Sequence, residues 1–342
     1  NITTCSFDVT VEDLTVPVIT DCPSDITIAS GNTSCDVTVT WDEPDATDNC
    51  GIATFVSSSA SGDLFPVGVT VVTYTATDVN GNISICTFNV QVQDLTAPEI
   101  TGCPADITVS SSAASCDINV SWDAPLATDN CAIQSFASTH APNDVFPVGT
   151  TTVTYTATDV HGNVATCEFD VTVEDTTPPV ITDCPGDITI SSNPLSCDAI
   201  VSWEEPEATD NCQVATFVVD HDPGDLFPVG TTTVTYTATD IHGNISTCIF
   251  DVTVEDNTPP VITGCPESIT IESNPLTCDI AVPWEAPDAT DNCSIATFVS
   301  NFDPGDVFPV GTTQVTYTAT DIHGNITTCS FDVTVEDLTV PV

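Results

Sequence analysis

The stretch "TTVTYTATDVHGNVATCEFDVTVED" (residues 151–175) alternates between apolar and polar side chains twice, on either side of a short break. Alternation with a period of two is typical of strands that are buried on one face. The break, "DVHGN", contains Gly162, and the same position earlier in the chain reads "DVNGN", in which Asn-Gly indicates a hairpin turn that needs positive φ at both residues. The stretch therefore predicts two long antiparallel strands, with these side chains inside: Val153, Tyr155, Ala157, Cys167, Phe169, Val171 and Val173.

The chain repeats with a period of 81 residues. Cys22, Cys103, Cys184 and Cys265 stand 81 apart, three further cysteine sets and one Trp and one Tyr per repeat keep the same step, and Cys5 stands 81 before Cys86. The eighteen residues that open the chain at Asn1 recur at Asn325, 324 positions later, so we expect a four-domain unit taken from a longer array. The predicted segments are 1–13 (last strand of a preceding domain), 14–94, 95–175, 176–256, 257–337 and 338–342 (start of a linker).

Each repeat is predicted to be one antiparallel β-sandwich of six or seven short strands. "CDVTVTW" (Cys35 to Trp41) reads as a further half-buried strand, and helical periodicity is absent. Trp41 and its equivalents are expected to anchor cores that are small for independent stability, so two disulfides per repeat would compensate.

The charge of the chain is one-sided. It has 342 residues with 50 Asp plus Glu, no Lys and no Arg. Binding to nucleic acid or to anionic lipid depends on basic residues, so neither is expected. Multivalent cations are the partners that such a charge favours. No run of residues resembles a signal peptide or a membrane span, and seventeen cysteines indicate an oxidising compartment.

The pattern C-P…W…P-x-A-T-D-N…F-P-V-G-T-T-x-V-T-Y-T-A-T-D-x-x-G-N…C-x-F-x-V-x-V-x-D, present in all four repeats, resembles the hyalin repeat, or HYR domain. The resemblance implies immunoglobulin-like sandwiches in extracellular tandem arrays, associated with adhesion and matrix and without catalysis. Four cysteines allow three connectivities. The resemblance favours Cys22–Cys86 with Cys35–Cys50, and the same pairing in the other repeats, which involves Cys103, Cys167, Cys116, Cys131, Cys184, Cys248, Cys197, Cys212, Cys265, Cys329, Cys278 and Cys293.

The polarity of such a sandwich predicts where acidic residues meet. The "ED" that ends one domain would abut the D-N loop and the D-x-x-G-N turn of the next, giving an extended rod with a Ca²⁺ site at each joint, since Ca²⁺ takes about six to eight oxygen ligands. The alternative is that Asp78 and Asn82 cap the hairpin and Asp48 forms an Asx turn. The predicted ligands are Glu12, Asp13, Asp48, Asn49, Asp78 and Asn82; Asp94, Asp129, Asn130, Asp159 and Asn163; Glu174, Asp175, Asp210, Asn211, Asp240 and Asn244; and Glu255, Asp256, Asp291, Asn292, Asp321 and Asn325.

Two functions follow as hypotheses. The first is a structural segment of an extracellular fibre or cell-surface stalk, whose partners are neighbouring domains and other copies of the fibre. The alternative is an adhesion module for a receptor or glycan, for which Phe302, an aromatic residue without aromatic equivalents, is the candidate contact. His161, His242 and His323 are interpreted as left-handed turn residues, and His140 and His221 as non-recurring surface residues. No Ser-His-Asp set or Gly-rich phosphate loop recurs, so no enzyme is expected.

Overall fold

The computed structural model describes residues 2–338, and every regular element in that range is a β-strand. Residues 339–342 of the predicted linker lie outside the described range. The chain divides into two compact units, residues 1–175 and 176–342, each of which is described by itself. Within residues 2–338, no helix has the length and hydropathy that a membrane span requires.

The first unit contains two sandwiches of eight strands each. The strands of domain 1 are β1 Val18–Thr20, β2 Ile26–Ala29, β3 Val37–Thr38, β4 Asp45–Thr47, β5 Ile52–Ser57, β6 Leu64–Phe65, β7 Gly68–Asp78 and β8 Ile83–Gln93. The strands of domain 2 are β9 Glu99–Thr101, β10 Ile107–Ser110, β11 Ile118–Asn119, β12 Leu126–Thr128, β13 Ile133–Ser138, β14 Val145–Phe146, β15 Gly149–Asp159 and β16 Val164–Glu174.

The second unit repeats this order. The strands of domain 3 are β17 Val180–Thr182, β18 Ile188–Ser191, β19 Asp198–Ile200, β20 Glu207–Thr209, β21 Val214–Val219, β22 Leu226–Pro228, β23 Gly230–Asp240 and β24 Ile245–Glu255. The strands of domain 4 are β25 Val261–Thr263, β26 Ile269–Glu272, β27 Asp279–Ala281, β28 Asp288–Thr290, β29 Ile295–Ser300, β30 Val307–Pro309, β31 Gly311–Asp321 and β32 Ile326–Glu336.

Every domain is built on one four-stranded sheet. In domain 1 its order is β2-β8-β7-β5, in which β2 runs parallel to β8 and the other neighbours are antiparallel. Two short ladders, β1 with β4 and β3 with β6, complete the immunoglobulin-like sandwich. Because β2 and β8 are parallel, both strands end at the same end of the domain. The loop after β2 therefore lies at that end.

The core confirms the alternation in the long hairpin. Val153 and Ala157 are fully buried, as are the inward residues of β16, while the intervening threonines are more exposed. Trp122 packs edge-on against Phe146 and Phe169, and its indole N–H donates to the Tyr155 hydroxyl at 2.9 Å. The same Trp–Tyr bond recurs in the other three domains, so the one polar group that each Trp carries into the core has a partner.

Two local predictions differ from the structure, and one segment with a strand-like sequence forms no strand. The stretch Cys35 to Trp41 contributes only the two-residue strand β3, although Val39 is buried, and each domain has eight strands rather than six or seven. Residues 2–16 form no strand, although the same sequence forms β32 in domain 4. The cause is pairing: β32 lies between β26 and β31, whereas no described strand pairs with residues 2–16.

The long hairpin closes through four residues instead of two. The Asp78 N–H donates to the Asn82 carbonyl at 3.1 Å, and Gly81 has φ of 94°. Asn80 and the three histidines at its equivalent positions are not among the residues with positive φ, so their interpretation as left-handed turn residues is wrong. Only the glycine needs that conformation, which L side chains disfavour.

Candidate functional site at the domain junctions

One disulfide closes each sandwich. Cys22–Cys86, Cys103–Cys167, Cys184–Cys248 and Cys265–Cys329 join the segment before the parallel strand to the last strand, as the family resemblance implies. The sulfur of the last-strand cysteine is part of the core, because Cys86 and its three equivalents are 4–7% exposed. This disulfide therefore belongs to the stability of a single domain.

The second predicted pairing, Cys35–Cys50 and its equivalents, is wrong. Cys35 of domain 1 is bonded to Cys131 of domain 2, and Cys197 of domain 3 is bonded to Cys293 of domain 4. Cys50 and Cys278 carry free thiols, as does Cys5. The other fourteen cysteines, which include Cys116 and Cys212, are bonded. Each unit thus contains a covalent link between successive domains.

Strand direction explains this pairing. Because β2 runs parallel to β8, the loop that follows β2 and carries Cys35 lies at the C-terminal end of domain 1, where the Ser30 N–H donates to the Gln93 carbonyl. The D-N-C loop that carries Cys50 or Cys131 lies at the N-terminal end of its domain. Cys35 and Cys50 are therefore at opposite ends of one sandwich, whereas Cys35 and Cys131 face each other with Cα atoms 4.5 Å apart.

A buried carboxylate lies at the centre of the joint between domains 1 and 2. The Asp94 side chain is 0% exposed. Its Oδ1 accepts hydrogen bonds from the Ser30 hydroxyl at 2.9 Å and from the Asn130 carboxamide at 3.3 Å, and its Oδ2 lies 3.1 Å from Nδ1 of His161. The Asn163 carboxamide donates to the Asp94 carbonyl at 3.2 Å. Donors from both domains therefore converge on one residue of the linker.

The joint between domains 3 and 4 has the same arrangement. Asp256, also 0% exposed in its side chain, accepts from Ser192 and Asn292, both at 3.2 Å, and its Oδ2 lies 3.1 Å from Nδ1 of His323. The Asn325 carboxamide donates to the Asp256 carbonyl at 2.9 Å. Two joints with different surrounding sequences thus form the same network.

Hydrogen bonding determines the charge state of these aspartates. Burial alone would raise the pKa of Asp94, but hydrogen bonds from Ser30, Thr96 and two junction side chains hold its pKa below the ordinary value of 3.8. The pKa of Asp256 is lowered in the same way, against the effect of burial. A carboxylate that accepts several hydrogen bonds stays ionised without an Arg or Lys partner, which this chain does not contain.

The aspartate that begins each hairpin turn is a cap, as the alternative interpretation of the sequence holds. Asp159 is 0% exposed, and its Oδ1 accepts from the backbone N–H groups of His161 at 2.8 Å and Asn163 at 2.9 Å. Its Oδ2 accepts from the Asn163 carboxamide at 2.7 Å. Asp78, Asp240 and Asp321 make the same contacts. Because Asn163 also reaches Asp94, the cap orients a residue of the joint.

The D-N loop carries oxygen atoms that lack hydrogen-bond partners. In the joint between domains 1 and 2 these atoms are Oδ2 of Asp129 and Oδ1 of Asn130. In the joint between domains 3 and 4 they are Oδ2 of Asp291 and Oδ1 of Asn292. All four atoms are buried. The first of these pairs borders a groove of about 410 Å³ at the domain boundary, and the second a groove of about 260 Å³. Hard oxygen donors of this kind fit Ca²⁺, but two per joint are fewer than it needs, so water or carbonyl oxygens would have to complete the shell.

Some of the remaining predicted ligands are exposed, and others make contacts near the ends of the domains. Glu12, Glu174 and Glu255 are exposed, because alternation along the chain turns them away from the aspartates that follow them. At the start of domain 1, Asp13 and Asp48 lie near Cys50, and the Asn82 carboxamide donates to the Asp13 carbonyl at 3.0 Å, whereas Asn49 is exposed. Of the third set, Asp175 accepts from Ser111 within the first unit, and Asp210 and Asp240 accept local N–H groups within the second.

Sequence reasoning missed two participants in the joints. One is the histidine at positions 161 and 323, whose ring contacts the buried aspartate instead of serving only the turn. The other is the serine that recurs at positions 30, 111 and 192 and donates to that aspartate. A signal was available for both residues, because each keeps the 81-residue step, and the histidine also lies within the D-x-x-G-N turn already assigned to the joint.

A second group of rings also differs from expectation. His140, His221 and Phe302 occupy one equivalent position, so the two histidines do recur. Their ring centroids lie 5.2, 5.5 and 5.0 Å from Phe146, Phe227 and Phe308, respectively. Phe302 packs against the core of domain 4 and is not an isolated surface aromatic.

The lowered pKa of Asp94 predicts acid sensitivity of the joint. Because its folded-state pKa is below 3.8, the ionised form contributes stability above about pH 4, and this contribution is lost as the pH falls through the folded-state pKa. We expect the Asp94→Asn variant to be less stable than the wild type at pH 7 and to approach it by pH 2.5. Thermal unfolding followed across that range checks this, and two curves that stay parallel would contradict it.

These features define a class of protein: disulfide-bonded, tandem immunoglobulin-like β-sandwiches of an extracellular or cell-surface type. The chain belongs to the HYR-domain family, since the HYR domain model matches residues 12–92, 93–173, 174–254 and 255–335. These ranges begin two residues before the predicted domains, whose bounds stay predictions.

Among known proteins, the chain is 42% identical to hyalin of Strongylocentrotus purpuratus, over 100% of this chain and 30% of that protein. It is also 42% identical to hyalin of Lytechinus variegatus, over 100% of this chain and 67% of that protein. The chain thus spans about a third of the first relative and two thirds of the second. Among solved structures, the protocadherin GammaB4 extracellular domain aligns with 96% of this chain and 68% of its own at 15% identity, with a TM-score of 0.36.

Proposed function

We propose that this chain is a structural segment of an extracellular fibre or cell-surface stalk, in which pairs of HYR domains are held in fixed orientation. The observation that carries this proposal is the disulfide between successive domains, Cys35–Cys131 and Cys197–Cys293, beside a fully buried aspartate. A covalent bond and a hydrogen-bond network at one short linker restrict bending far more than a linker alone. Resistance to bending is useful to a load-bearing array and unnecessary for independent binding modules.

The predicted extended rod and the predicted Ca²⁺ stiffening are part of this proposal. Ca²⁺ is supported by the partnerless oxygens of Asp129 and Asn130 and their equivalents, and by a net charge of −50 that attracts divalent cations. The buried Asp94 and the capping Asp159 already accept hydrogen bonds through both carboxylate oxygens. Of the predicted ligands at this joint, the D-N loop is therefore the part best suited to hold the ion.

The alternative function, adhesion through an exposed aromatic residue, has no observation in its favour. Its candidate contact, Phe302, is packed on Phe308. HYR repeats are structural or adhesion domains, so adhesion by other surfaces is compatible with the family, but no feature of the described residues points to a ligand.

Calorimetric unfolding in Ca²⁺ and in EGTA tests the cation part of the proposal. Extracellular modules bind Ca²⁺ at about 10⁻⁴–10⁻³ M, so we expect millimolar Ca²⁺ to raise the unfolding temperature of the wild type. The Asp129→Asn and Asp291→Asn changes together should remove most of this response. The matched control is Asp170→Asn, on a half-buried strand residue away from the joint whose carboxylate accepts from Thr152.

Three outcomes would contradict Ca²⁺ at the joints. One is an unfolding temperature that EGTA does not change. Another is an equal loss of response in the Asp170→Asn control, which would indicate diffuse charge attraction. The third is an equal response to Mg²⁺, because Mg²⁺ demands a stricter octahedral geometry than Ca²⁺ and a Ca²⁺ site should distinguish the two ions.

A further inference from the structure

The free thiols of Cys50 and Cys278 occupy positions whose equivalents are bonded between domains. Cys50 corresponds to Cys131 and Cys293, and Cys278 corresponds to Cys35 and Cys197. In each described pair, the first cysteine belongs to the end of one domain and the second to the start of the next, 96 residues later. Positions 96 residues before Cys50 and after Cys278 are not among residues 1–342.

Domain 1 already presents Cys50 in the geometry of a bonded cysteine. Its backbone N–H donates to Asp48 Oδ1 at 2.8 Å, as those of Cys131 and Cys293 do to their aspartates at 2.9 Å. The Asn49 carboxamide lies 3.3 Å from its sulfur, compared with 3.6 and 3.7 Å in the two bonded loops. The thiol is exposed, so it is accessible to a partner.

Cys278 is held in the same way at the other end of the chain. Its carbonyl accepts from the Val310 N–H at 3.1 Å, as the carbonyl of the bonded Cys197 accepts from Val229 at 3.2 Å. Asn274 and Asn193 each donate a backbone hydrogen bond, to the carbonyls of Asp279 and Asp198. Cys278 is likewise exposed. These contacts of the domain 3 loop are therefore also formed in domain 4, although Cys278 has a left-handed φ of 57°, which the bonded Cys197 does not share.

The two ends of the chain match in sequence. Residues 325–342, which include β32, are identical to residues 1–18. The Asn82 and Ser84 side chains of domain 1 donate to carbonyls of this segment, namely those of Asp13, Thr15 and Pro17. A domain with the sequence of domain 1, placed after domain 4, would therefore meet the segment that its own residues already contact.

We infer that Cys278 and Cys50 are each one half of an inter-domain disulfide whose other half lies on a neighbouring HYR domain. Cys278 takes the D-N-C cysteine of the domain that follows, and Cys50 takes the post-β2 cysteine of the domain that precedes. The inference deepens the proposed function, because its partner is a further unit of the same array. It extends the covalent links seen within each unit to the joints that domain 1 and domain 4 would form with these neighbouring domains.

The bond forms by ordinary thiol–disulfide chemistry. The oxidant is a low-molecular-weight disulfide such as oxidised glutathione, as in an oxidising compartment. One thiolate attacks the oxidised glutathione to give a mixed disulfide and one glutathione thiol. The second thiolate then displaces the second glutathione, so two protein thiols lose two protons and two electrons and two glutathione thiols are released.

The neighbourhood of Cys50 disfavours its thiolate. Hydrogen bonding to Asp13 raises the pKa of the Cys50 thiol, and partial desolvation and the charges of Asp48 and Asp78 act in the same direction.

The test uses the full chain extended by a second copy of residues 19–94 placed directly after Val342. Residues 325–342 already supply the first eighteen residues of that copy, so the extension creates a fifth domain without a foreign joint. The protein is oxidised with glutathione, denatured, alkylated with iodoacetamide and digested with an Asp-specific protease, since it contains no Lys or Arg for trypsin. Peptide mass spectrometry then identifies the partner of Cys278.

In the 342-residue chain we expect Cys278 to be alkylated or to carry one glutathione, because no second protein thiol resolves the mixed disulfide. In the extended chain we expect Cys278 to be linked to the added copy of Cys50, and a Cys50→Ser change in that copy alone should return Cys278 to the alkylated or glutathione-bound form. If the bond between Cys278 and the added copy of Cys50 is found in monomers, the two cysteines belong to the same chain. If it is found in disulfide-linked dimers, they belong to two chains. Both outcomes support the inference.

Cys278 that stays alkylated or glutathione-bound in the extended chain, while Cys35 remains bonded to Cys131, would overturn the inference. A bond between Cys278 and the added copy of Cys35 would also overturn it. Circular dichroism of the extended chain and of its Cys50→Ser variant shows that the added domain is folded in both. Because no cation takes part in this bond, a protein that does not respond to Ca²⁺ could still form it. Failure of the Ca²⁺ part of the proposed function can therefore be distinguished from failure of the inferred disulfide.

Discussion

Replacing Cys103 and Cys167 together with alanine is expected to lower the free energy of unfolding of domain 2 by about 4 kcal/mol. The bond joins residues separated by 64 positions, and closing a loop of that length removes about this much chain entropy from the unfolded state. The Cys167 side chain is also part of the core, so its loss adds a packing cost. For a small domain, this is a large fraction of a typical total stability of roughly 5–15 kcal/mol.

Guanidinium unfolding followed by tryptophan fluorescence measures this effect, since each domain has one Trp in its core. About a quarter of the total fluorescence change, the part that comes from domain 2, should occur at a lower guanidinium concentration than in the wild type. The matched control is Cys50→Ala, which removes an exposed thiol that is not bonded and is expected to change stability by less than about 0.5 kcal/mol. A variant whose curve coincides with that of this control would show that the bond does not stabilise the domain.

The long hairpin could be predicted from sequence because its pattern is local. Val153, Tyr155 and Ala157 face the core because side chains of a strand alternate, and no distant information is needed to see this. Residues 2–12 have the sequence of β32 and form no strand, so the pattern alone is not sufficient. A strand also requires partners for its backbone N–H and C=O groups, and these are supplied by other segments.

The disulfide error has a different origin. Spacing alone leaves the connectivity of four cysteines open, and the choice of Cys35–Cys50 assumed that each repeat closes on itself. The predicted polarity had already placed Asp48 and Asn49 at the N-terminal pole, next to Cys50. What was missing was the parallel pairing of β2 with β8, which places Cys35 at the opposite pole. Short edge strands have weak sequence signals, so their direction is the hardest part of such a fold to predict.

The joints were predicted in composition and only partly in chemistry. Asp94, Asn130, Asp159 and Asn163 do lie at one boundary. The prediction of a Ca²⁺ site at each joint was drawn from charge and from the number of oxygen atoms, and it gave no weight to hydrogen bonding: Asp94 is ionised and buried among N–H and O–H donors. Charge counts do not show this, because serine, asparagine and backbone donors carry no formal charge.

Replacing Asp159 with alanine is expected to destabilise domain 2 by about 2–4 kcal/mol. The change removes the acceptor of three hydrogen bonds and leaves the N–H groups of His161 and Asn163 without it, each at a cost of about 1–3 kcal/mol if they stay buried. Asp159→Asn keeps one oxygen for the backbone donors but sets its amino group against that of Asn163. We therefore expect a smaller loss for Asp159→Asn than for Asp159→Ala.

The ion dependence of this loss separates a cap from a metal ligand. If Asp159 acts as the contacts indicate, both variants lose the same stability in EGTA as in Ca²⁺, and urea unfolding in the two solutions measures it. Asp321→Ala in domain 4 is the matched replicate, since Asp321 makes the same three contacts. A loss that appears only in Ca²⁺ would instead assign Asp159 to the cation. A bound ion would then stabilise the joint together with the disulfide and the hydrogen bonds, and the stiffness of the array would depend on the extracellular Ca²⁺ concentration.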